Sequence, residues 1–138
     1  MVPRSYSSKL IALAVGVTAN WLDNLLSKHV LPGVSRGRQG IERRINDDGL
    51  LAAELCRILN LELGVSLENA AEIARSAIEA RIDGGDTRHI TSSGLLLLFP
   101  IRGIEQRLHQ RMLDATESVA RVRRGRPPRE PERSLQTD

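Results

Sequence analysis

The stretch Ile11-Ala12-Leu13-Ala14-Val15-Gly16-Val17-Thr18, continued by Leu22 and Leu25, decides how the rest of the chain is read. A helix-turn-helix needs a small residue where its helices cross and a glycine four residues on, where the backbone turns left-handed. It also needs apolar residues that seat the second helix on the first. Ala12, Gly16, Val17, Leu22 and Leu25 meet these needs in order. Ser7 or Ser8 caps a helix through Lys9–Val15, Gly16 breaks it, and Thr18 caps a second helix through roughly Ala19–His29. The face of that second helix left over carries Thr18, Asn20, Asn24 and Ser27. Short polar side chains of this kind reach base edges or phosphates in a major groove, although a plain αα-hairpin with a solvated face has the same pattern.

Moving outward, Val30-Leu31-Pro32-Gly33 ends the second helix, because proline lacks a donor and glycine permits positive φ. Residues 35–45 then read as a short β-hairpin with Gly37 and Gly40 near its tip. Arg36, Arg38, Gln39, Arg43 and Arg44 crowd into nine residues that only Glu42 interrupts, and Lys28 closes the helix just before. A basic hairpin directly after a helix-turn-helix is a wing that lies along a phosphate backbone or in a minor groove. Arginine suits it because its planar fork binds phosphate at two points.

Asn46-Asp47-Asp48 caps a third helix, with acids in the turn where the dipole favours them and with Leu51, Leu55, Ile58 and Leu59 at helical spacing. Gly64 stops it, and Ser66 starts a fourth helix with Leu67, Ala70, Ala71, Ile73, Ala74 and Ile78 apolar. Asp83-Gly84-Gly85-Asp86 reads as a loop. The run Leu95–Phe99 after Ser92-Ser93-Gly94 is compatible with a hairpin or with a buried helical turn, and five apolar residues do not choose between them. Ile101, Ile104, Leu108, Met112, Ala115, Val119 and Val122 then form a heptad-like stripe on a long helix. The expected organisation is a DNA-binding unit over residues 6–80, a linking segment over 81–100, a dimerisation helix over 101–124 and a disordered basic tail over 125–138. Ile104, Leu108, Met112, Ala115 and Val119 would form the dimer seam.

The composition agrees with a mainly α fold. Leu is the commonest residue at 20, and Tyr6, Trp21 and Phe99 are the only aromatics. The net charge of +3 conceals a segregation: +5 over residues 1–46, −5 over 47–118 and +3 over 119–138. The cations are 18 arginines and two lysines. Basic blocks of this kind point to a polyanion, most often nucleic acid. The single cysteine, Cys56, excludes an internal disulfide framework and a cysteine zinc site, and is expected in the core. His29, His89 and His109 lack ligand spacing, and no catalytic constellation or phosphate cradle is present, so no cofactor, metal or enzymatic activity is expected. The apolar runs are too short to span a bilayer, and Met1–Tyr6 opens without an apolar signal core. The expected location is cytoplasmic, associated with the nucleoid.

The order of helix-turn-helix, Leu31-Pro32, basic glycine-containing wing, Asn46-Asp47-Asp48 cap, Leu-rich helix and Leu63-Gly64-Val65-Ser66-Leu67-Glu68 resembles the DNA-binding domain of MerR-type regulators over roughly residues 8–80. The resemblance implies a winged-helix dimer that binds a near-palindromic DNA site and distorts it. Its recognition helix would be Thr18–Lys28 and its wing Arg36–Arg44. The chain departs from the family in carrying Asp23, Asn24 and Leu25 where an arginine and paired tyrosines are usual, and Glu42-Arg43-Arg44 in place of a Tyr-Arg pair. Trp21, which replaces a smaller polar residue, is either a packing anchor or a phosphate-directed donor. Arg124-Gly125-Arg126-Pro127 resembles the core of an AT-hook, in which arginines enter a narrow minor groove. These features together predict a sequence-specific double-stranded-DNA-binding transcriptional regulator, acting as a homodimer. Thr18, Asn20 and Asn24 would read bases; Lys28, Arg36, Arg38, Gln39, Arg43 and Arg44 would hold the backbone; regulation would come through abundance or a protein partner. Two other functions use the same features: a DNA-bending architectural or excisionase-like protein, and a protein-interaction adaptor on a winged-helix scaffold.

Overall fold

A computed structural model describes residues 4–35, 42–81 and 85–125, with side chains as far as Arg121. Arg36, Arg38 and Gln39, the centre of the expected loop at Asp83, and the basic tail lie outside the described residues. The chain is mainly helical, with small antiparallel sheets. Local capping sets the first two helices. The Ser7 hydroxyl accepts from the Leu10 amide at the start of α1 (Ser8–Val15). Gly16 ends that helix at φ 84°, where its N–H donates to the Ala12 carbonyl at 2.9 Å. Thr18 Oγ1 accepts from the Trp21 amide at 3.0 Å to start α2 (Ala19–Lys28), and the chain bends by 117° between the two helices. Ala12, Leu22, Leu25 and Leu26 are buried where they meet.

Three two-residue strands brace this pair. β1 (Tyr6–Ser7) and β2 (Val34–Ser35) both pair antiparallel with β3 (Arg44–Ile45), giving the order β1-β3-β2. Ile45 pairs with Tyr6 on one side and Val34 on the other, and its side chain is fully buried beneath them. β2 and β3 are the base of the hairpin expected over residues 35–45. Gly33 turns the chain into β2 at φ 76°, and a Cβ there would collide with the Asn46 side chain and the Gly49 amide. The same Asn46 accepts from that amide and caps α3 (Asp47–Arg57).

The third helix does not end cleanly. It widens into a π-helical turn over Ile58–Glu62, closed by a hydrogen bond from the Leu63 amide to the Ile58 carbonyl at 3.1 Å. Gly64 at φ 74° leads out, and Ser66 caps α4 (Leu67–Glu79) by accepting from Asn69. The stretch compatible with two structures is a hairpin: β4 (Thr87–Ile90) pairs antiparallel with β5 (Leu96–Phe99). Its connection decides the matter physically. The Gly94 amide donates to the Thr91 carbonyl and Gly94 adopts φ 89°, a turn followed by a left-handed residue that returns the chain as a strand.

The long helix α5 (Ile101–Gly125) forms as expected, but its stripe faces inward within the same chain. Ile101, Ile104, Leu108, Met112 and Ala115 are buried in the core shared with α1 and α3. This corrects two expectations. Ile104, Leu108, Met112 and Ala115 do not form a dimer seam, and residues 101–124 are no separate unit, because one continuous core runs from α1 to α5. Heptad spacing predicts an apolar stripe needing cover, and α1 and α3 supply that cover. Val119 lies beyond the covered part, 37% exposed.

Charge pairing reinforces the packing. Glu54, only 3% exposed, receives two hydrogen bonds from Arg57 at 3.0 and 3.1 Å and one from Arg111 on α5 at 2.6 Å. Arg81 joins Asp48 at 2.7 Å to Glu105 at 3.2 Å. Four of the twelve acids of the central block, Asp48, Glu54, Glu62 and Glu105, are paired in this way with arginines of the same block.

Candidate nucleic-acid interface

The α1–α2 bend leaves the outer face of α2 to solvent. Thr18, Asn20, Asn24, Ser27 and Lys28 are all exposed there, and Leu22, Leu25 and Leu26 face the core. The helical period puts Asn20, Asn24 and Ser27 in one row, with Lys28 a turn beyond Asn24. These side chains offer donors, acceptors and one cation on a convex surface.

Trp21 does not belong to that row. It is half-buried, and its indole N–H donates to Asn60 Oδ1 at 3.1 Å. Asn60 in turn donates from Nδ2 to the Val65 carbonyl at 2.8 Å. Of the two roles open to Trp21, the packing anchor is the one its contacts serve: it ties α2 to the π-helical turn. Asn60 escaped sequence reasoning because one residue of a widened turn shifts side-chain direction by about 100° from a regular helix.

The hairpin base places its two described arginines differently. Arg43 forms an ion pair with Asp23 of α2 at 3.2 Å, so the acid that would repel phosphate is matched by its neighbour. That bridge fastens the hairpin to α2. Arg44 Nη2 donates to the Ser5 carbonyl at 2.8 Å, and the guanidinium also contacts Ser5 Oγ. Beside it lies an open cleft of about 390 Å³ lined by Arg4, Ser5, Val34, Ser35, Arg44 and Asn46. Arg4 and Ser5 carry no motif in the sequence; the excess of cations over residues 1–46 is the only signal for Arg4.

Elsewhere the titratable groups read as structural. Burial pushes the Cys56 thiol up to about 12, so it is held neutral in the core. Burial, and then the hydrogen bond its hydroxyl donates to Asp47 at 3.0 Å, raise the Tyr6 phenol. Hydrogen bonding to Glu54 raises Arg57 further. Among the described residues no group of His, Cys, Asp and Glu is arranged to hold a metal ion, and no single helix is long and apolar enough to cross a membrane.

No family model matches the chain, and no curated protein or solved structure is significantly similar to it.

Proposed function

We propose that the chain is a sequence-specific double-stranded-DNA-binding protein of the winged helix-turn-helix kind, a transcriptional regulator that acts as a homodimer at the nucleoid. The observation that carries this reading is the exposed row Thr18, Asn20 and Asn24 on the second of two helices set at 117° across a three-residue turn, with the base of a basic hairpin fastened alongside. Helices paired at about 90–120° are the geometry that presents a recognition helix to a major groove. In this mechanism Thr18, Asn20 and Asn24 contact base edges, with the asparagines suited to adenine. Lys28, Arg36, Arg38, Gln39 and Arg44 hold the phosphates, and Arg43 acts mainly by fixing the hairpin to Asp23.

The test is duplex affinity measured against salt on an in-vitro-selected site and on a random duplex. The expected result is tight, salt-sensitive binding to the selected site that Asn20→Ala with Asn24→Ala reduces toward the random-duplex level. Arg36→Ala with Arg38→Ala should weaken both duplexes alike. Equal binding to all A·T-rich duplexes would make the protein an architectural bender, and failure to bind any duplex even at low salt would make it an adaptor.

A further inference from the structure

Asp23 is the one acid on α2, and it stands on the face that a polyanion would approach. It follows Asn20 by three residues and precedes Ser27 by four, so the helical period sets it beside both. Its side chain is 69% exposed, whereas Arg43, whose Nη1 donates to Asp23 Oδ1 at 3.2 Å, is 22% exposed. The arginine is therefore tucked in at the hairpin base while the carboxylate faces solvent. An ion pair this open contributes little to stability, so fastening the hairpin does not by itself account for an acid in this position.

Bare, the carboxylate would repel phosphate. Matched by Arg43, the pair brings no net charge to a duplex, yet acceptors remain on offer: a carboxylate has about four acceptor sites, and Arg43 engages one oxygen. Thr18, Asn20, Asn24 and Ser27 can both donate and accept, whereas ionised Asp23 only accepts. In the major groove cytosine presents an amine donor, guanine presents two acceptors, and thymine presents an acceptor with its methyl group. A group that only accepts is attracted by the cytosine amine and repelled by the acceptors of guanine and thymine, so it discriminates in both directions.

We propose that Asp23, neutralised and held by Arg43, is a specificity-determining residue of the α2 face, accepting a hydrogen bond from the N4 amine of a cytosine in the major groove. This inference rests on the DNA-binding reading and deepens it: the target site contains a required C·G pair beside the bases that Asn20 contacts. Asparagines suited to adenine and an aspartate suited to cytosine on one helix face call for a site of mixed composition, which an A·T-rich architectural preference does not supply.

The experiment begins with in vitro selection of duplexes by the full wild-type chain. Wild type and Asp23→Asn are then titrated on the selected duplex, on its versions carrying each other base pair at every position, and on a random duplex. Wild-type affinity should fall about fivefold or more when one C·G pair is replaced. Asp23→Asn should flatten the preference at that pair alone and keep those assigned to Asn20 and Asn24. Its affinity for the random duplex should rise, because a negative charge is removed and Arg43 is released. A residue that merely braced the hairpin would weaken both duplexes together and leave every base preference in place. Asp23→Ala should lose the same preference without introducing a donor, and circular dichroism should be unchanged in both variants, the position being exposed. Arg43→Ala, which leaves the carboxylate bare, should weaken selected and random duplexes alike. A selected site with no required cytosine, Asp23 variants with the wild-type base profile, or an Arg43→Ala chain that binds both duplexes as the wild type does overturns the proposal and leaves the DNA-binding reading standing. A wild type that binds no duplex even at low salt overturns both.

Discussion

Trp21 shows how one side chain distinguishes anchoring from recognition. Its indole N–H is engaged by Asn60, a residue that also holds the Val65 carbonyl, so α2, the π-helical turn and the approach to α4 meet at one amide. Trp21→Phe keeps most of the ring and removes that hydrogen bond. We expect a loss of about 1 kcal/mol in urea unfolding, since Asn60 is only half-buried and water replaces the missing donor. Duplex affinity should not change; weaker binding of selected and random duplexes alike, with the protein folded, would show that the indole contacts phosphate after all. Cys56 gives a second test at this scale. The unfolded thiol ionises near its ordinary value of 9.0, while in the fold it is pushed up to about 12. Below pH 9 both states keep the proton and stability is unaffected. Between 9 and 12 only the unfolded state sheds it, so stability falls as pH rises, by up to about 1.4 kcal/mol per pH unit. Tyr6, also raised, acts in the same direction above its ordinary value. Denaturation curves at pH 8 and 10.5 check this, and Cys56→Ala, though less stable overall, should show a shallower alkaline decline.

At the scale of elements, the boundaries were legible wherever the signal was local. Ser7, Thr18, Asn46 and Ser66 each accept from the amide three residues on, and Gly16 and Gly64 each take positive φ at the exit. A cap is decided by four residues of sequence, so reading it needs nothing distant. What packs against an apolar stripe is decided elsewhere in the chain, and there spacing alone misleads. The spacing of Ile104, Leu108, Met112 and Ala115 is the same whether the seam meets a second copy or α1 and α3. Leu95–Phe99 was ambiguous for the same reason, and the Gly94 turn settled it. The exposed row on α2 was legible because the apolar residues of that helix marked its buried side. The Arg43–Asp23 and Arg44–Ser5 contacts were not, since they join residues 20 and 39 apart. Because α5 completes the core, Leu108→Ala should cost about 2–5 kcal/mol in thermal or urea unfolding of the whole chain. A chain ending at residue 100 should lose its cooperative transition altogether; a folded, DNA-competent truncation would restore α5 to a separate role. Glu54→Ala should cost about 3 kcal/mol, near the lower end for a broken buried pair, because Arg57 and Arg111 both retain access to water.

For the whole molecule, the near-neutral total of +3 hides where charge is available to a partner. Asp48, Glu54, Glu62 and Glu105 are matched within the central block by Arg57, Arg81 and Arg111, so those groups largely neutralise one another. Outside that block the sequence carries an excess of cations at both ends, +5 over residues 1–46 and +3 over 119–138. Removing residues 121–138 takes away six arginines and three acids, and among the described side chains the last buried residue of α5 is Ala115. Thermal stability should therefore be unchanged. If the tail neutralises phosphates, log affinity against log salt should become shallower by about 0.9 for each phosphate no longer neutralised, and binding at low salt should weaken equally for selected and random duplexes. The ratio between the two duplexes should stay fixed, because discrimination is assigned to the α2 face, whose asparagines should alter the ratio and leave the slope alone. An unchanged slope would remove the tail from the interface, while a fall in the selected-to-random ratio would move part of the sequence reading from α2 into the arginine-rich end.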